Sequence, residues 1–183
     1  MSDAPQDTAQ PALDNAPPVA PLRFLGQFIR DLSFEAPLAP EIFNNLRDGS
    51  PEMTITIDAA ARQIEGPTFD VTISVQLEAK IVEKTAFILE LVYGCVVELN
   101  AAVVPPEYAH SLVLIEVPRH LFPFVRQIVA ETTGAGGFPP VMLQMVDFAD
   151  LYRRKFAPQA AAGQEPAGQE PVGQEPSPAP AVH

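Results

Sequence analysis

From Phe69, apolar side chains take every second position: Phe69, Val71, Ile73, Val75, Leu77 and Ala79, with Asp70, Thr72, Ser74, Gln76 and Glu78 between them. Period two predicts a strand with one dry face. After a polar break at Glu83-Lys84 a second run follows, with Phe87, Leu89, Leu91, Tyr93, Cys95 and Val97 on one side. Its other side carries Ala86, Ile88, Glu90, Val92, Gly94, Val96 and Glu98. A solvated sheet face should be more polar than that. The surplus apolar surface predicts either cover by another subunit or a surface for an apolar partner.

Two earlier strands precede this pair. Phe24 to Phe34 has a mixed pattern and closes at Ala36-Pro37, with Pro40 soon after. Glu41 to Leu46 suits a short helical turn. Met53, Ile55 and Ile57 alternate with Thr54 and Thr56. Four strands with short connections predict sequential antiparallel pairing as the simplest topology. The period then changes. Pro105-Pro106 ahead of Glu107, Leu112, Val113, Ile115 and Glu116 predict a helix from Pro106. Pro118 is expected to end it and to open another, with Leu121, Phe122, Val125, Ile128 and Val129 at helical spacing and a stop at Gly134. Pro123 fits only a first turn or a kink. An apolar loop from Gly134 to Val146 leads to Asp147, which can cap a last helix carrying Phe148, Leu151, Tyr152 and Phe156. Strands first and helices after define an α+β domain.

A chain of 183 residues has room for one core of this kind. Residues 21–157 hold the periodic segments. Residues 1–20 mix Ala, Pro, Asp and Gln without period and are expected to be disordered. Residues 158–183 contain Gly163-Gln-Glu-Pro166 and its repeats at 168–171 and 173–176. A five-residue period is too short for a packing unit and predicts an extended tail, either solubilising or a docking peptide.

Charge adds one exclusion. All 11 Lys and Arg lie between Arg23 and Lys155, and six of the 23 acids lie outside that span. The net −12 therefore divides equally between the middle and the flanks. Such a chain should not hold nucleic acid or an anionic membrane by bulk electrostatics, whereas a basic protein is its natural complement. Cys95 is alone, so neither an intrachain disulfide nor a thiolate zinc cluster is available. No basic-then-apolar leader opens the sequence, and no apolar run reaches the ~20 residues of a membrane span. A soluble, cytoplasmic protein is expected.

Catalytic patterns are scarce. His110 and His120 are too far apart to share a helical metal site. Gly134-Ala-Gly-Gly137 follows a helix and lacks the strand–loop–helix setting of a phosphate loop. Asp147 and Asp150 are explained by a helix start. Cys95 sits in an apolar strand without a basic neighbour, the setting of a packing residue. An enzyme, such as a small α+β hydrolase or thioesterase, would need a polar pocket cluster that the sequence does not show. Surfaces are the stronger candidates. In a strand, Asp31, Ser33 and Glu35 point one way, and Glu90 lies on the sparse side of its strand beside Ile88. These carboxylates form either a solvated face or a docking face. The loop with Phe138, Pro139, Val141, Met142, Leu143 and Met145 is either core cover or the wall of a groove for extended apolar chain.

Between Phe24 and Phe156 the chain resembles the SecB family of bacterial protein-export chaperones. The resemblance is carried by Asp31-Leu-Ser-Phe-Glu-Ala-Pro-Leu-Ala-Pro40, Thr85-Ala-Phe87, Ala109-His110, Leu121-Phe-Pro-Phe-Val-Arg126, and Gly137-Phe-Pro139 leading to Asp147-Phe148. It implies a four-stranded antiparallel sheet with helices, assembled as a dimer of dimers, a homotetramer. It also implies binding of unfolded preproteins without ATP or any other cofactor, and their delivery to the export motor SecA. On matching positions it assigns SecA docking to Asp31, Glu35, Ile88 and Glu90. Phe34, Phe124, Phe138, Pro139, Val141 and Leu143 fall near the peptide groove, and Leu89, Leu91 and Tyr93 where oligomer assembly is sensitive. Ser111 and Glu116 depart from a family stretch that is richer in cysteine, and the Gln-Glu-Pro tail is only thinly charged for the family.

Overall fold

A computed structural model describes residues 19–45, 49 and 51–162. The expected disordered N-terminus up to residue 18, Leu46 and the Gln-Glu-Pro repeats lie outside these residues. Four strands, β1 (Leu22–Glu35), β2 (Glu52–Glu65), β3 (Thr68–Ile81) and β4 (Lys84–Leu99), form one antiparallel sheet. Between β1 and β2 comes the short helix α1 (Ile42–Asn45), and two longer helices, α2 (Pro106–Ala135) and α3 (Phe148–Ala162), follow the sheet.

The strand order is β1-β4-β3-β2, which corrects the sequential pairing expected above. β2, β3 and β4 are joined by tight turns and pair in sequence. Gly66 supplies positive φ in the first turn, and Val82 and Glu83 both adopt positive φ in the second. β1 pairs with β4 instead, because the segment through α1 carries the chain to the far side of the sheet and buries Ile42 in the core. β1 and β2 are therefore the two edges.

Opposed residues of antiparallel strands share a face, so the register sorts the sheet into two sides. One side presents Val71, Ile73, Val75, Leu77 and Ala79 of β3 and Phe87, Leu89, Leu91, Cys95 and Val97 of β4, all buried. α2 lies across this side with Val113, Val117, Leu121, Phe122, Val125 and Val129 against it. Burial of this stripe also explains a second correction. Pro118 does not end the helix; α2 runs unbroken through both Pro118 and Pro123. Each proline removes one backbone hydrogen bond and costs about 3 kcal/mol in a helix interior. Each buried Val, Leu or Phe returns about 1.5–3 kcal/mol, so the continuous stripe outweighs the two defects. α2 stops where Gly136 donates to the Thr132 carbonyl and Gly137 turns to φ 87°.

The apolar loop after α2 is fastened to it. Phe138, Val141 and Leu143 are buried, while Met142 and Met145 are exposed. The buried Thr133 hydroxyl accepts from the Val141 amide at 3.0 Å, and Arg126 Nε donates to the Leu143 carbonyl at 2.9 Å. Asp147 caps α3 as expected, its Oδ1 accepting from the amides of Ala149 and Asp150. Those amides, the Asp150 one foremost, hold the Asp147 carboxyl below its ordinary pKa.

Candidate client and partner surfaces

The open side of the sheet, away from α2, gathers the four residues assigned to docking. Glu35 pairs with Ile88, Ser33 with Glu90 and Asp31 with Val92, so Asp31, Glu35, Ile88 and Glu90 occupy one end of one face. β3 and β2 continue this end with Gln76, Glu78, Thr54 and Thr56. Thr54, Thr56, Gln76, Glu78, Ile88 and Glu90 border a shallow hollow of about 330 Å³. Asp31, Glu35 and Glu90 are exposed, and among the described residues only Glu78 of these carboxylates is offset by a neighbouring cation, Lys80 at 3.2 Å.

The other end of the same face is built differently, and the sequence patterns did not single it out. Asp70 is 5% exposed on the side of β3 expected to be solvated. Its carboxylate accepts from Arg30 at 2.8 and 3.0 Å and from Arg62 at 2.9 Å. Burial pushes the Asp70 carboxyl up, but the hydrogen bonds and charges of both arginines outweigh it and leave its pKa lowered. One carboxylate on β3 thus binds the neighbouring β2 and reaches across β4 to β1. The β2–β3 hairpin does contain a signal for half of this, since the tight turn at Gly66 places Arg62 opposite Asp70. The bulge that frees Arg30 from the β1–β4 ladder does not show in the sequence.

On the covered side, the residues expected near a groove are placed at different depths. Phe34 is half-buried, stacked on Phe87 at 5.5 Å and 6.3 Å from Phe138. Phe138 in turn sits 4.7 Å from Phe87 and 5.2 Å from Phe43. This aromatic cluster needs Gly136, because a side chain there would collide with the Phe34 ring. Phe138, Val141 and Leu143 are core within the single chain, whereas Pro139 and Phe124 face solvent. Phe124 stands apart from the cluster and stacks on Tyr93 at 6.4 Å. Leu89 and Leu91 are fully buried, and Tyr93 hydrogen-bonds Gln27 at the β1 edge.

The histidines and the cysteine are occupied in packing. His110 Nδ1 lies 2.9 Å from the Tyr152 hydroxyl, and His120 meets Phe24 edge-on. Burial, and after it the charge of Asp70, push the Cys95 thiol up to about 11. Among the described residues no cluster of His, Cys, Asp and Glu can hold a metal ion, and no helix is long and apolar enough to cross a membrane.

The family model described as preprotein translocase subunit SecB matches residues 15–159. The chain belongs to the SecB family. Among its SecB relatives, the protein-export protein SecB of Rhodospirillum rubrum is 46% identical over 90% of this chain and 94% of its own length. That of Gluconacetobacter diazotrophicus is 44% identical over 85% and 97%, and that of Maricaulis maris 44% over 88% and 91%. The SecB-like chaperone of Mycobacterium tuberculosis, solved with a ChAD peptide from the HigA1 antitoxin, shares the fold: the TM-score is 0.52 at 14% identity, over 68% of this chain and 90% of that one. Membership of the SecB family carries a chaperone's role in protein export, not an enzyme's.

Proposed function

We propose that this chaperone acts in the cytoplasm on unfolded preproteins, without ATP, and hands them to SecA. The observation that carries this reading is the separation of two surfaces by one sheet. Clients would meet the covered side, where Phe124, Pro139, Met142 and Met145 are exposed and Phe34, Phe43, Phe87 and Phe138 form an aromatic cluster. An unfolded chain displays apolar side chains that a folded one hides, so such a surface selects for the unfolded state without reading sequence. Val141 and Leu143, which the loop's hydrogen bonds to α2 hold buried, would form the floor beneath this surface; Met side chains suit varied clients. SecA would meet the open side through Asp31, Glu35, Ile88 and Glu90, an acidic docking face that suits a basic segment.

The assembly we propose is a dimer of dimers. β1 is an edge strand exposed on both faces, with Phe24, Ile29 and Leu32 exposed among its residues. Unpaired edges of this kind invite a further strand. The β2 edge is guarded, because Lys155 of α3 binds the Asp58 carboxylate at 2.7 Å and the Ala59 carbonyl at 3.1 Å. A second copy would therefore pair along β1. Leu89, Leu91 and Tyr93 shape the strand beside that edge, and their substitution would act on assembly through β1. Residues 21–157 would form the chaperone unit, with the segments before and after it as appendages. Several grooves on one particle would let a long client wrap and gain avidity.

Chromatography with light scattering, alone and with an unfolded secretory precursor, tests this. The reading predicts a mass of four chains that rises only with the unfolded client. A monomer that ignores the client would overturn it.

A further inference from the structure

The open sheet face is not uniformly acidic, and its second pole has no role in the docking just described. At the level of Ile88 to Val92 it carries Asp31, Glu35, Glu78 and Glu90. At the level of Val96 it carries the guanidinium groups of Arg30 and Arg62. Asp70 offsets only one of those two charges, and beyond it Glu98 is held by Arg23 while Glu65 lies at the hairpin end of β2, so the positive character is confined to the two guanidinium groups themselves. Both arginines remain solvent-accessible, with side chains 41% and 75% exposed. Between the poles lies an apolar saddle. The Phe28 ring rests on Gly94, where a Cβ would come within 2.8 Å of it, and the Arg30 guanidinium stands 5.3 Å from the ring centre. Val92 and Val96 flank this saddle on β4.

We infer that the segment docking on this face is dipolar: a basic cluster for Asp31, Glu35 and Glu90, an apolar middle for Phe28, and an acidic side chain for Arg30 and Arg62. This inference rests on the docking reading above and adds to it the acidic end. The poles are six positions apart along β4, from Glu90 to Val96, which is about 20 Å of extended chain. An acid about six residues from the basic cluster spans that distance. A uniformly basic segment would meet repulsion at the arginine pole, so the face discriminates between basic partners as well as attracting them. The two arginines are suited to the task because Asp70 has already fixed their positions, and a carboxylate arriving there loses little freedom in orienting them.

The test uses the full-length protein and two synthetic peptides followed by fluorescence anisotropy at low salt. Both have a Lys pair and an apolar spacer; one ends in a Glu pair about six residues on, the other in a Gln pair. The Glu peptide is expected to bind about threefold more tightly, the scale of one exposed charge pair. Arg62→Gln should abolish the difference by weakening the Glu peptide's binding. Asp70 keeps both hydrogen bonds from Arg30 in that variant, so β1 stays tied to β3, and β2 keeps its backbone ladder to β3. Equal binding of the two peptides to the unsubstituted protein would overturn the inference and leave docking standing. A Glu preference that survives both Arg62→Gln and Arg30→Gln would also overturn it. Binding of neither peptide would overturn the docking reading and the inference together.

Discussion

Adjacent residues of β4 face opposite sides of the sheet. Leu89 and Leu91 lie under α2 at no more than 1% exposure, while Ile88, Glu90 and Val92 look away from the helices. On the covered side the hydrophobic effect dominates and any apolar residue of the right volume serves. On the open side there is no helix to bury against, yet half the β4 positions are apolar, and the neighbouring strands add carboxylates at one end and two arginines at the other. The covered face records what the fold needs. The open face records something the fold alone does not require.

Substitutions on the two faces should therefore separate in what they damage, and the largest effect belongs to the core. Leu91→Ala is expected to lower stability by about 2–5 kcal/mol, the range for emptying a buried leucine site, measured by urea denaturation. A loss well under 1 kcal/mol would mean that α2 does not hold this face closed. Asp70→Asn should come next. Removing the charge that holds Arg30 and Arg62 is expected to cost about 1–3 kcal/mol, although Asp70 lies on the open side. Its pH dependence sharpens the comparison. The folded pKa of Asp70 lies below the ordinary 3.8, so its stabilisation is complete above that value and is lost as pH falls below it toward the folded value. The stability gap between the unsubstituted chain and Asp70→Asn should shrink over that acid window in thermal melts. A gap unchanged by acid would remove Asp70 as its source. Gly94→Ala should have a smaller effect, about 1 kcal/mol, because the Phe28 ring that its Cβ would strike can swing into solvent. Peptide docking should suffer more than stability, and equal losses in both would contradict an apolar saddle used for binding.

Much of this layout was legible from period and punctuation. The alternation from Phe69 to Ala79 and from Phe87 to Val97 located β3, β4 and their dry face, and Asp147 located the start of α3. Spacing from Asp31 to Glu35 put two carboxylates on one face without any knowledge of the partner strand. What failed was non-local. Nothing near β1 says that it pairs with β4, because that choice is made by where the segment through Ile42 packs. Pro118 and Pro123 read locally as breaks, and only the burial of α2 along its length overrides them. Asp70 looked like an ordinary polar residue in an alternating strand. Its role depends on Arg30, forty positions earlier and released by a bulge, and no local pattern carries that pairing.

Glu90→Lys, assayed in parallel for SecA binding and for capture of an unfolded precursor, tests the separation of the two faces most directly. Glu90 is exposed and makes no ion pair among the described residues, so the change should leave stability within about 0.5 kcal/mol. The two-surface account predicts weakened SecA binding with client capture essentially intact. Equal loss of both activities in a stably folded variant would contradict it, because client and partner would then share one surface.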